Sequence, residues 1–292
     1  MNEYLWLIRR ELWENRAIWI VPSAIGAVMV LAALFGHVDV TLMNAAPQQG
    51  ALGGVLLFAS GVVFLLVMSA YSAWYLLDCL YAERRDRSIL FWKSLPISDA
   101  ATVLSKLLTA LLVIPLVYFA AADLTTVVIA FIVSVRARSW IGGALWNPGQ
   151  WLQLQALWLY LIATMAVWFL PLAGWLLLVS AWARRAATLW SILPPLAAIW
   201  AERAFFGTDR LARVFADRLF TGYPGSALRN LQGSLFALFG LPGGAAATTP
   251  ISVWRLLDPV RFMASRATWI GVAVGVALTA AAIRVRSRAV EL

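Results

Sequence analysis

Long apolar runs alternate with short polar breaks along this chain, and the runs have the lengths of membrane-crossing helices. They cover residues 17–36, 53–77, 107–135, 154–182, 187–201 and 268–285. About 20 helical residues cross a hydrocarbon core of about 30 Å. The pattern therefore predicts an all-α polytopic membrane protein with six transmembrane helices, one domain over residues 1–292. Residues 4–16 read differently: Leu5, Ile8 and Leu12 keep a helical rhythm, Trp6 and Trp13 repeat at seven, and Arg9, Arg10, Glu14 and Arg16 add charge. Such a segment is too short and too charged to cross, and is predicted as an amphipathic helix lying in the interface.

The long charged break of the first half is residues 78–106. Glu83, Arg84, Arg85, Asp86 and Arg87 form a mixed-charge cluster, followed by Ile89, Leu90, Phe91 and Trp92, then Lys93 and Pro96. Read as a short helix over 83–95, the 100° step places Ile89, Trp92 and Leu95 in one arc and Asp86 and Lys93 in another. Pro96 ends it, and Ser98 or Asp99 can cap the next helix. This corner can enter a groove on a soluble partner, with apolar anchors and orienting arginines. A solvated loop whose arginines only set topology is the alternative.

Composition agrees with the membrane pattern: 62% of residues are hydrophobic and 13% charged, with mean hydropathy +0.81, against about 25% charged in globular domains. In a soluble protein the net charge of +9 would point to nucleic acid. Here the arginines are dispersed at span ends, which excludes a nucleic-acid surface and indicates the positive-inside bias. Thirteen Lys and Arg fall on one side, against two in the short loop near Arg136. The eight in the long 202–267 segment are discounted. Both termini are then cytoplasmic.

Several span residues carry candidate chemistry. Asp123 is an acid well inside a span, readable as part of a translocation path or proton-linked group, or as a hydrogen-bonded packing residue near Thr125 and Thr126. Pro115 can kink the third span. Pro194 and Pro195 remove two backbone donors from the fifth, which should break or kink and be satisfied by neighbouring protein or water; they too are path candidates. Trp168, Trp175 and Trp182 recur every seven residues, an aromatic stripe along the fourth span. Gly271 and Gly275 have the GxxxG spacing of close helix packing.

Other chemistries are not encoded. A single cysteine, Cys79, excludes an internal disulfide and a thiolate-rich metal site. His37 stands as a lone interfacial residue, and no metal site is expected. There is no G-x-x-x-x-G-K-[ST] phosphate loop, H-E-x-x-H or G-x-S-x-G motif, so no P-loop ATPase and no catalytic residues are assigned.

Tyr75-Leu76-Leu77-Asp78, then ERRDRSILFWKSLPIS, then Leu104-Ser105-Lys106 resembles the first cytoplasmic loop of bacterial type-2 ATP-binding-cassette (ABC) exporter permeases. The specific match covers residues 71–120; elsewhere it rests on topology. The resemblance implies a permease subunit of the bacterial inner membrane without cofactor of its own, dimeric with a same or sister chain. Two copies of a separate ABC ATPase subunit would bind ATP and Mg. Residues 4–16 become an elbow helix, 78–106 a coupling loop, and 202–267 an outer segment with re-entrant helices. Glu83, Arg84, Arg85, Asp86 and Arg87 become polar ATPase-coupling contacts, with Ile89, Phe91 and Trp92 as anchors. A stand-alone channel or secondary transporter is the alternative, and an intramembrane enzyme a further one.

Overall fold

The computed structural model describes residues 3–36, 49–86, 88, 92, 97–136, 148–227 and 257–288. These residues are helical, with no β-strand among them. α1 (Glu3–Glu14) leads after two residues into α2 (Ala17–Phe35), followed by the long rods α3 (Gln49–Arg85) and α4 (Asp99–Arg136). Then come α5 (Pro148–Trp168), α6 (Leu170–Trp182), α7 (Ala187–Phe206), the short α8 (Arg210–Ala216), α9 (Gly222–Ala227) and α10 (Pro259–Ala264), and finally α11 (Arg266–Arg288).

Four helices are long and apolar enough to cross a membrane: α2, the Gly61–Arg85 part of α3, α4 and α11. The pair α5–α6 makes a fifth if taken as one span. Between 17% and 28% of positions in the four are buried within the protein, so most of their apolar side chains, such as Leu66, Leu124, Phe131 and Ile270, face outward as lipid solvation requires. α7 occupies the predicted fifth stretch and is not among the four; Pro194, Pro195, Glu202 and Arg203 interrupt its apolar run.

Prolines shape these rods in three ways. Pro115 offers no N–H to the carbonyl four residues back, and α4 answers with a π-helical turn at Thr109–Val113, just ahead of it, before running on to Arg136. The predicted fourth span, 154–182, is not one straight helix: α5 and α6 meet at Phe169 with a 55° bend, where Pro171 frees the Val167 carbonyl and restricts Leu170. The tryptophan stripe is thereby split. Trp168 is buried beneath Arg218, Trp175 turns toward α7, and exposed Trp182 packs edge-on against Trp190. In α7 the helix passes through Pro194 and Pro195 without a break. Trp175 Nε1 donates to the carbonyl of Ser191 at 3.0 Å, the acceptor that Pro195 leaves free.

α3 is the central rod. Its buried face of Phe64, Met68, Tyr71, Tyr75, Leu76 and Leu80 packs against α4 and α6. α2 covers α4, and α11 lies along α6. The predicted GxxxG is used in two ways. At Gly275 a Cβ would sit 2.8 Å from the Leu170 backbone and 2.9 Å from Pro171 N, so the α6–α11 crossing requires glycine. At Gly271 a Cβ would run into the Arg218 guanidinium, which lies 4.2 Å over the Trp168 ring and donates to the Ala267 carbonyl at 3.0 Å. Burial lowers the Arg218 pKa from its ordinary value. Within the expected outer segment 202–267, α8 and a π turn at Asp217–Thr221 follow α7; His37 lies outside the described residues.

Candidate functional site

α4 begins where the sequence predicts. The Ser98 hydroxyl accepts from Ala101 N at 3.1 Å, satisfying one of the donors a helix start leaves open. Two turns on, that start carries Lys106 into the interior. Lys106 Nζ lies 2.7 Å from Glu11 Oε1 and 3.1 Å from Glu83 Oε1, and all three side chains are at most 7% exposed. From α11, Arg286 Nη1 donates to Glu83 Oε2, and its Nε to Asp99 Oδ1 at 3.0 Å. The Tyr75 hydroxyl donates to Glu11 Oε2 at 2.6 Å.

Arg10 completes the group. Its guanidinium lies 3.2 Å over the Trp92 ring, 2.8 Å from Glu14 Oε1 and 3.7 Å from Glu83 Oε1. The connected set thus holds four carboxylates, Glu11, Glu14, Glu83 and Asp99, and three cations, Arg10, Lys106 and Arg286. Ionised groups leave water at a penalty of several kcal/mol each, and only a closed set of pairs and hydrogen bonds offsets it. The set joins α1, α3, α4 and α11 at one end of the bundle. Next to it Arg84 donates to the Ser180 and Ala183 carbonyls, the latter at 2.8 Å. The Ser180 hydroxyl accepts from Leu80 N at 3.1 Å and Tyr81 N at 3.0 Å. These contacts bind α3 to the end of α6. At the opposite end, Arg136 Nη1 caps α2 through the carbonyls of Ala33 and Gly36 at 2.7 and 2.9 Å.

Comparison with known protein families, curated proteins and solved structures finds no match.

The residues singled out in the sequence separate into several environments. Glu83, Arg84 and Arg85 belong to the last turn of α3, not to a separate helix. Glu83 turns inward into the ion-pair set, and Arg84 is spent on backbone carbonyls, whereas Arg85 and Asp86 pair at 3.1 Å with side chains 56% and 61% exposed. Trp92 lies beneath Arg10. Arg87, Ile89 and Phe91 lie outside the described residues. Asp123, half-buried, accepts from Gln155 Nε2 at 2.7 Å across α4 and α5. Pro194 and Pro195 are partly exposed on α7.

Three residues of the ion-pair set were not singled out. In α1 the inward face centres on Leu7 and Glu11, while Leu5 of the expected apolar rhythm is 64% exposed. Lys106 and Arg286 read as span-end charges. Their signal was a single charge at helical spacing among apolar neighbours: Val103, Leu107 and Ala110 around Lys106. Among the described residues no group of three or more metal-type side chains is present.

Proposed function

We propose that this chain is the permease subunit of an ATP-driven exporter of the type-2 ABC class. It would pair with a second permease, the same or a sister chain, in the bacterial inner membrane with both termini cytoplasmic. Two copies of a separate ATPase subunit would bind ATP and Mg and dock on the stretch between α3 and α4. Residues 71–120 carry the resemblance behind this assignment. α7 would serve as a sixth crossing beside the four apolar helices and the bent pair, and α1 as the elbow helix.

The observation that favours coupling is the Glu83–Lys106–Arg286 set. Glu83 ends α3 and Lys106 lies near the start of α4, so both flank the proposed docking stretch, and Arg286 brings in α11. A push on that stretch reaches three membrane helices and α1 through buried charges that resist separation. In this reading exposed Arg85 and Asp86, together with Arg87, meet the ATPase, Ile89, Phe91 and Trp92 anchor, and Glu83 and Arg84 pass the displacement inward.

Affinity purification of the intact chain from its native membrane in mild detergent tests the assignment. A stoichiometric ATP-binding-cassette ATPase should co-purify and be lost in the Arg85→Ala/Trp92→Ala double variant. Absence of any ATPase while other membrane complexes survive would instead indicate a stand-alone channel or carrier, with the Asp123–Gln155 pair as its first residues to vary.

A further inference from the structure

Between the inner face of α1 and the final turns of α3 lies a cavity of about 320 Å3, within the range of small-ligand sites. Its wall includes Arg10, Glu14, Trp74, Asp78, Asp86 and Trp92. Both cations at this wall are committed: Arg10 is stacked on Trp92 and paired with Glu14, and Lys106 is held by Glu11 and Glu83. Asp86 has Arg85 beside it. Asp78 differs, for its carboxylate accepts no hydrogen bond and forms no ion pair among the described residues.

One turn from Asp78 is Trp74, 53% exposed. One turn further into the bundle the Tyr71 ring lies 5.7 Å from Trp74 and 6.2 Å from Tyr118. Tyr71 is 9% and Tyr118 1% exposed, and their hydroxyls have no hydrogen-bond partner among the described residues. Buried hydroxyls are ordinarily paired. A carboxylate without a hydrogen bond, an exposed indole and the Tyr71 hydroxyl therefore follow one another along α3, with Tyr118 of α4 beside Tyr71.

We propose that this cavity binds an organic cation, an alkylammonium whose charge lies beside Asp78 and whose alkyl groups contact Trp74. Indole faces attract such cations, and carboxylates outnumber cations at the wall. An anion would meet Glu14, Asp78 and Asp86 at a wall whose described cations, Arg10 and Lys106, are already paired. A metal ion fits less well, because no group of three ligating side chains forms among the described residues. Binding is independent of the exporter assignment; joined to it, the site makes cationic amphiphiles the transported class.

The test uses the full chain purified in an uncharged maltoside detergent, with benzyltrimethylammonium as the titrant in calorimetry. Saturable binding is expected, weakened about tenfold or more by Asp78→Asn, weakened also by Trp74→Ala, and retained by Asp78→Glu. The neutral carbon isostere of the probe should not compete. Absence of saturation with the wild-type chain, or wild-type affinity in both Asp78→Asn and Trp74→Ala, would overturn the proposal. Repeating the titration in nanodiscs separates the sources of the cation. Weaker probe affinity when phosphatidylethanolamine replaces an uncharged glycolipid at a fixed phosphatidylglycerol share, which holds the surface charge constant, identifies a lipid ammonium as the competing occupant, and equal affinity assigns the site to a free cation. Failure of the ATPase co-purification leaves these outcomes unchanged.

Discussion

The Trp175 indole N–H donates to the Ser191 carbonyl at 3.0 Å, the backbone acceptor that Pro195 strips of its helical partner. A helix with two adjacent prolines is thus bridged at one of its freed carbonyls by a side chain from the preceding helix.

Trp175→Phe keeps the ring and deletes the donor. The expected loss is about 1 kcal/mol, in the range of single hydrogen bonds within membranes, read as lower thermal stability in detergent. Trp182→Phe, which replaces an exposed indole set edge-on against Trp190, should cost less.

Lys106→Met leaves Glu11 and Glu83 as buried carboxylates short of a cation. Breaking a buried pair in this way costs about 3–5 kcal/mol, so poor recovery of folded protein is expected. Adding Glu11→Gln should restore part of it. A double-mutant cycle on denaturant unfolding measures the coupling, and strict additivity of the two substitutions would contradict the pairing.

Gly275→Ala and Gly207→Ala test two different needs for glycine. At Gly275 the added methyl meets the Leu170–Pro171 backbone, an overpacking cost of about 1–3 kcal/mol that should loosen α6 from α11. At Gly207 nothing lies within 4 Å, but φ is +61°, and the left-handed backbone alone costs about 1–2 kcal/mol. Disulfide trapping between cysteines introduced in α6 and α11 should fall in the first variant and be unaffected in the second.

Glu202 ends α7 with its carboxylate on the Thr208 hydroxyl at 2.7 Å, Arg210 N at 3.0 Å and Leu211 N at 2.7 Å. Those hydrogen bonds, the Thr208 hydroxyl foremost, hold its pKa below the usual carboxylate value. The contribution is therefore present above the unfolded carboxylate pKa and is lost as pH falls through the lower folded one. Amide exchange at Arg210 and Leu211 should speed up, relative to its intrinsic rate, only on acidification. In Glu202→Gln that pH response should vanish.

Much of the helical layout was legible along the chain. The apolar runs gave the helices Ala17–Phe35, Asp99–Arg136 and Arg266–Arg288 to within a few residues at their apolar parts, and Ser98 gave the cap. The split of 154–182 was not read, although Pro171 carried its signal: whether a proline bends an apolar run depends on what packs around it, which the run does not record. For the same reason Pro194 and Pro195, expected to break or kink the fifth stretch, lie within an unbroken helix.

Apolar run length and the positions of Pro, Gly and charge determine which segments are helical, which can enter a membrane and which end as polar corners, because the bilayer imposes those terms on each segment separately. The charged end is different. Lys106 and Glu11 are 95 positions apart, and Arg286 and Glu83 are 203 apart; each alone resembles a charge stopping a span. Only tertiary packing decided that Glu83 faces inward while Arg85 faces out, since a charge can be buried only where other helices deliver its counter-charges, and no local pattern records that delivery.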